Sequence, residues 1–162
     1  MTDLLALLQE FYRDKLAAVL RHEAAARHVS QYDANNTYQY IINREDTELS
    51  WIARAILDLG GDVPSAGAAP ERKPAGKGTT GANNLFDEDA RDAQAFVERW
   101  KPRVEALTNA RHRGMLRVIL GEVLEQKRFF EQARAGRTDL LGRRTEGVGK
   151  LEGEVLPTRW IE

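Results

Sequence analysis

The chain has 162 residues, 42% hydrophobic and 30% charged, and its 24 basic and 25 acidic side chains leave a formal net charge of −1. That length suits one domain with a sizeable core, and a near-zero charge argues against a polyanion as the principal partner. With no cysteine, disulfides, thiolate metal sites, iron–sulfur clusters and cysteine nucleophiles are excluded. No apolar run approaches the roughly 20 residues of a membrane helix. Met1-Thr2-Asp3 opens no export signal, so the chain reads as soluble and cytoplasmic.

Four segments carry helical periodicity. The first is predicted over about 3–29, with a stripe of Leu5, Leu8, Tyr12, Leu16 and Val19 continuing through Glu23 and Ala26. Gaps of three and four place these residues on one face. The second is predicted over about 36–59, with Tyr38, Ile41, Ile42, Glu45, Glu48, Leu49, Ile52 and Ile56 in its stripe. Gly60-Gly61 and Pro64 supply its stop. Residues 60–84 then hold six Gly and three Pro, and such a segment reads as a mobile crossover. The third helix is expected to start near Asp87 as N-cap and to present Ala93, Val97, Trp100, Val104 and Leu107, with a kink or break at Pro102. The fourth is expected over about 112–134, with Met115, Val118, Ile119, Glu122, Glu125 and Phe129 inward and Gly136 as its stop. Strand signals are absent. The class is all-α, an antiparallel four-helix bundle over residues 1–135, followed by an irregular tail over 136–162.

Glu-x-x-Glu occurs twice, at Glu45/Glu48 and at Glu122/Glu125. A spacing of three puts both carboxylates of a pair on one helix face, and in each case that face is the apolar one. Glu23 points to the same interior from the first helix. Several carboxylates buried together are very unfavourable unless positive charge cancels them. A dinuclear site of iron or manganese, held by Glu23, Glu45, Glu48, Glu122 and Glu125, would do so, because oxygen-rich sites suit these ions and bundle cores are where such sites are built.

The segment from Leu20 to Pro64, with Glu23, Glu45-x-x-Glu48 and Ile56-Leu57-Asp58-Leu59-Gly60-Gly61, resembles the ferritin-like superfamily, in particular its rubrerythrin-like and bacterioferritin-like members. The last helix, with Glu122-x-x-Glu125, resembles the second half of that pseudo-repeat. The resemblance implies a ferritin-like bundle, a di-iron site, and an oxidoreductase acting on ferrous iron, oxygen or peroxide. The family's motif is Glu-x-x-His, and Glu48 and Glu125 stand at the two histidine positions. The contrasting reading is a metal-free, non-catalytic bundle, in which arginines such as Arg21, Arg27, Arg44 or Arg117 pair with the glutamates. It would act by helix-face or tail contacts as a homodimer or larger homo-oligomer.

Other constellations are weaker. His22 and His28 are six residues apart and share no helix face. His22 neighbours Glu23, but these read as ordinary, partly exposed histidines. Six basic residues between Arg99 and Arg117, against the single acid Glu105, suit a solvated face better than nucleic acid. Tyr32, Tyr38 and Tyr40, with Trp51, read as core aromatics. The tail end Leu156-Pro157-Thr158-Arg159-Trp160-Ile161 is apolar enough to dock on its own bundle or on a neighbouring subunit.

Overall fold

The computed structural model describes residues 3–68, 70–138 and 140. Helix α1 runs Leu4–Ala26, and the Asp3 carboxylate caps it by accepting from the backbone N–H of Leu5 and Ala6. Helix α2, Tyr32–Asp58, starts four residues earlier than the periodicity predicts. The reason lies in the turn: Asn35, inside α2, donates its side-chain amide to the Ala26 and Val29 carbonyls at 3.0 and 3.1 Å. The second helix thus caps the first, a signal that no local turn motif carries. Gly60 adopts φ +80° and closes α2, with the Gly61 N–H reaching back to the Ile56 carbonyl at 3.0 Å.

The crossover is tied to the bundle rather than loose. Gln9 donates to the Asp62 carbonyl at 2.9 Å. Arg72, 9% exposed in its side chain, spans α1 and α3 through the Arg21 carbonyl, Asp89 and Glu88. Composition alone misses this, because four side-chain hydrogen bonds, with Val63 packed against the core, hold the segment.

Helix α3, Gly78–Glu105, begins nine residues before the expected Asp87, which lies inside the helix and pairs with Arg134 at 3.0 Å. Gly78-Thr79-Thr80-Gly81 are poor helix formers, yet Gly81 has a packing reason: a Cβ there would stand 2.6 Å from the Gly76 carbonyl oxygen. Pro102 falls in the last turn and does not interrupt the helix. Asn109 caps α4, Ala110–Arg134, by accepting from the His112 N–H. Gly136, at φ +87°, ends it.

The chain is all-α. Helix α1 packs chiefly on α2 and α3 on α4, with lighter contact across α2–α4 and α1–α3, as an antiparallel bundle requires. Two apolar clusters result. One gathers Leu8, Phe11, Ile52, Trp100, Val104 and Leu116. The other gathers Val19, Tyr38, Ile41, Phe86, Phe129 and Phe130. Lys15, Glu45, Glu48 and Gln126 are buried where these clusters meet. Among the described residues, no helix is long and apolar enough to cross a membrane. Residues 141–162, including the apolar Leu156–Ile161 segment, lie outside the described residues.

Candidate functional site

Helix α2 turns both of its glutamates inward as its stripe predicts, and Glu45 and Glu48 are each 0% exposed. The cation that meets them comes from α1. The Lys15 ammonium, 1% exposed, lies 2.9 Å from Glu45 Oε2 and 3.3 Å from Glu48 Oε1. On the other side of Glu45, His22 Nδ1 approaches Oε1 at 2.6 Å. A carboxylate can only accept, so His22 donates through Nδ1–H.

Burial alone would raise the Glu45 pKa, but the charges of His22 and Lys15 and their hydrogen bonds outweigh it and hold the carboxyl down to about 2. Burial alone would lower Lys15, and here the Glu45 and Glu48 charges win, so its pKa is raised. Lys15 is therefore a fixed ammonium and not a nucleophile.

Glu48 is different. As an ionised group it accepts no hydrogen bond at either oxygen. Burial, then its hydrogen bond with Glu122, pushes its pKa up to about 8 despite Lys15. Glu48 and Glu122 therefore titrate as a linked pair, with the proton favoured on the more deeply buried Glu48. Burial would raise Glu122 too, but the hydrogen bonds from Glu48 and Arg44 lower it. Arg44 reaches Glu122 from α2, and its guanidinium also lies over the Trp51 ring.

The remaining residues of the expected site are not brought in. Glu125 is 51% exposed in its side chain and binds Arg128 at 2.8 Å. Glu23 is only half-buried. Helix α4 buries Leu116, Ile119, Leu120, Val123, Gln126, Phe129 and Phe130: Ile119 and Phe129 face inward as expected, and the rest of the inner face lies about one residue from the expected stripe. Gln126 points inward, Glu122 stands at the rim and Glu125 faces out. Helix α1 is turned in the same way, burying Leu8, Phe11, Lys15, Ala18, His22 and Ala25.

Among the described residues, no three His, Asp or Glu side chains form a group that could hold a metal ion. The donor set explains this. A dinuclear site needs ionised, bridging carboxylates around the ions. Here an ammonium already stands between Glu45 and Glu48, and Glu125 and Glu23 do not join them in the buried layer. The residues do not fit a pair of divalent cations.

The sequence reading did not single out Lys15, and it took His22 for a partly exposed histidine, whereas both are buried, at 1% and 5% exposure. The signal was present: positions 8, 11, 15, 18, 22 and 25 are spaced by three or four and pass through both. The bulkier set Leu5, Tyr12 and Leu16 masked it. Asp89, expected in the first turn of α3, is a third buried acid, bonded by Tyr38 and Arg72. Tyr38 is core, whereas Tyr32 is 77% and Tyr40 46% exposed. In the basic stretch, Arg99 pairs with Asp14, Arg103 with Glu10 and Arg117 with Glu105.

A groove of about 640 Å³ opens between α2 and α4 beside the buried layer, walled by Tyr40, Ile41 and Phe129 and edged by Arg44, Glu122 and Glu125. Helices α2 and α4 touch lightly, which leaves room for it. No family model, no curated protein and no solved structure matches this chain.

Proposed function

We propose that this protein is a metal-free, non-catalytic helical bundle that acts by contact, with the α2/α4 groove as its interaction surface. The Lys15 ammonium between Glu45 and Glu48 is the observation that carries this reading. It performs the neutralisation that two metal ions perform in the ferritin-like proteins the sequence resembles. On this reading the chain shares their architecture while a side chain replaces the cofactor. The groove is a concave, largely apolar part of the described surface, and its volume lies within the roughly 300–1,000 Å³ typical of binding sites. In this form the protein works as an interaction or structural component, alone or as a homo-oligomer.

Elemental analysis of protein purified without chelators, paired with melting curves in added ferrous iron or manganese, tests it. A metal bound only by the folded form at about 100 times its dissociation constant adds about 2.7 kcal/mol, which a melting curve resolves. The expected result is substoichiometric metal and an unchanged melting temperature. Stoichiometric iron or manganese, with a metal-dependent rise in melting temperature, restores the dinuclear oxidoreductase reading.

A further inference from the structure

We infer that the α2/α4 groove binds an uncharged, flat aromatic molecule that carries a carboxamide or a ring lactam, and that Gln126 is the residue that recognises it. The inference rests on the groove being the interaction surface proposed above. It adds the chemistry of the occupant.

Three observations converge. The first is an amide without a partner. Gln126 borders the groove and is only 4% exposed, and among the described residues its side chain makes no hydrogen bond. Buried polar groups are ordinarily bonded, so an amide at this depth carries unused donor and acceptor capacity. On its other side Gln126 borders a cavity of about 10 Å³ beside Lys15 and His22, room for no more than about one water. A larger molecule therefore meets this amide from the groove.

The second is charge. The ionised groups that edge the groove already answer one another. Arg44 pairs with Glu122 and lies over the Trp51 ring, and Glu125 pairs with Arg128. Beneath them Lys15 stands between Glu45 and Glu48. An anion or a cation entering the groove would have to break one of these pairs. A neutral amide breaks none: its N–H donates to the Gln126 carbonyl while its own carbonyl accepts from the Gln126 amide nitrogen.

The third is shape. Tyr40 stays 46% exposed on the wall, edge-on to Phe129 at 6.2 Å between ring centroids, and such aromatic walls take a further ring by stacking or by its edge. Gly121 forms part of the wall in the middle of α4, where glycine weakens a helix. A Cβ there would meet nothing within 4 Å. Among the described residues no packing contact requires that position to be bare, whereas a ring lying in the groove does.

Three probes with one ring system test it in the full chain: naphthamide, naphthoate and naphthamidine, which are neutral, anionic and cationic at neutral pH. Each is titrated against the protein by heteronuclear NMR. Naphthamide is expected to bind saturably, with a dissociation constant below about 1 mM, and the two charged probes at least about tenfold more weakly. The Gln126 side-chain amide resonance should shift with naphthamide. Gln126→Leu keeps the bulk, removes the amide and should weaken naphthamide at least about tenfold. Gly121→Leu puts a side chain on the groove wall and should abolish binding. Its melting temperature should hold or rise, since leucine is the better helix former, so that loss is not a loss of folding. No saturable binding of naphthamide, equal affinity for the three probes, or an affinity indifferent to either substitution overturns the inference. The readout is independent of metal content: absent binding in a metal-free chain removes the ligand class and leaves the proposed function standing, while stoichiometric metal removes that function whatever the probes do.

Discussion

The same spacing, Glu-x-x-Glu, stands on α2 and on α4, and the bundle treats the two copies in opposite ways. On α2 both members are fully buried, one ionised between Lys15 and His22 and the other favoured to hold the proton of its linked pair with Glu122. On α4 one member stands at the rim with Arg44 and the other is exposed beside Arg128. A spacing of three guarantees that two side chains share a face. It does not fix which face. On α2 a continuous apolar stripe, from Tyr38 through Ile41, Leu49 and Ile52 to Ile56, sets the rotation and carries the acids with it. On α4 two stripes compete. The one containing Leu116, Ile119, Val123 and Phe130 is buried, and Val118, from the other, is left 52% exposed. A buried acid is tolerated where a cation from another helix meets it, and the burial of Lys15 on α1 is the other half of the burial of Glu45.

Breaking that coupling has the largest expected effect. Lys15→Met keeps the side-chain bulk and removes the ammonium, leaving two carboxyls without it. Removing one partner of a buried ion pair costs about 3–5 kcal/mol, and urea unfolding at neutral pH is expected to show a loss of that order. Lys15→Met combined with Glu45→Gln should recover part of it, because the orphaned charge is then gone as well.

The difference between the two α2 acids is sharpened by pH. Glu48 has its folded pKa raised from 4.5 to about 8. Its contribution to stability is therefore fully present below the unfolded value and is lost as pH rises through the folded one. Glu45 runs the other way: lowered from 4.5 to about 2, it stabilises above the unfolded value and loses that contribution as pH falls toward 2. Glu122, also lowered, acts with the sign of Glu45. The native protein should lose stability between pH 5 and 8 through Glu48. Glu48→Gln keeps a neutral hydrogen-bonding side chain and removes this loss. The melting temperature of the variant relative to the native chain is expected to climb by at least about 3 °C from pH 5 to pH 8. A flat difference would refute the assignment.

The smallest effect belongs to the exposed copy. Glu125→Ala removes a surface pair with Arg128, and such changes stay within about 0.5 kcal/mol. Its melting temperature should match that of the native chain at pH 5 and at pH 8. A large loss there would mean that α4 presents its second acid to something the free bundle does not contain.

The legible parts of the molecule were those where apolar residues alone decide. The α2 face, the inner positions of α3 from Ala93 to Val104, and the stops at Gly60 and Gly136 follow from spacing and glycine geometry. The start of α3 was hidden by Gly78, Thr79, Thr80 and Gly81, whose weak propensity is overridden by packing on the residues just before them. The order of the crossover was hidden because one arginine, Arg72, ties it to two helices. In the candidate site, Glu45 and Glu48 were legible, whereas Lys15 and His22 were not, since a lysine on a helix is ordinarily a solvated residue.

By itself, the sequence determined an all-α chain, four amphipathic rods in antiparallel order, and an acid pair committed to the interior. Only the tertiary structure decided how far α1 and α4 rotate, and hence that a lysine and a histidine meet those acids while Glu125 turns to water. The reason is electrostatic. Whether a polar side chain can be buried depends on a partner supplied by another helix, and no pattern along one helix contains that partner.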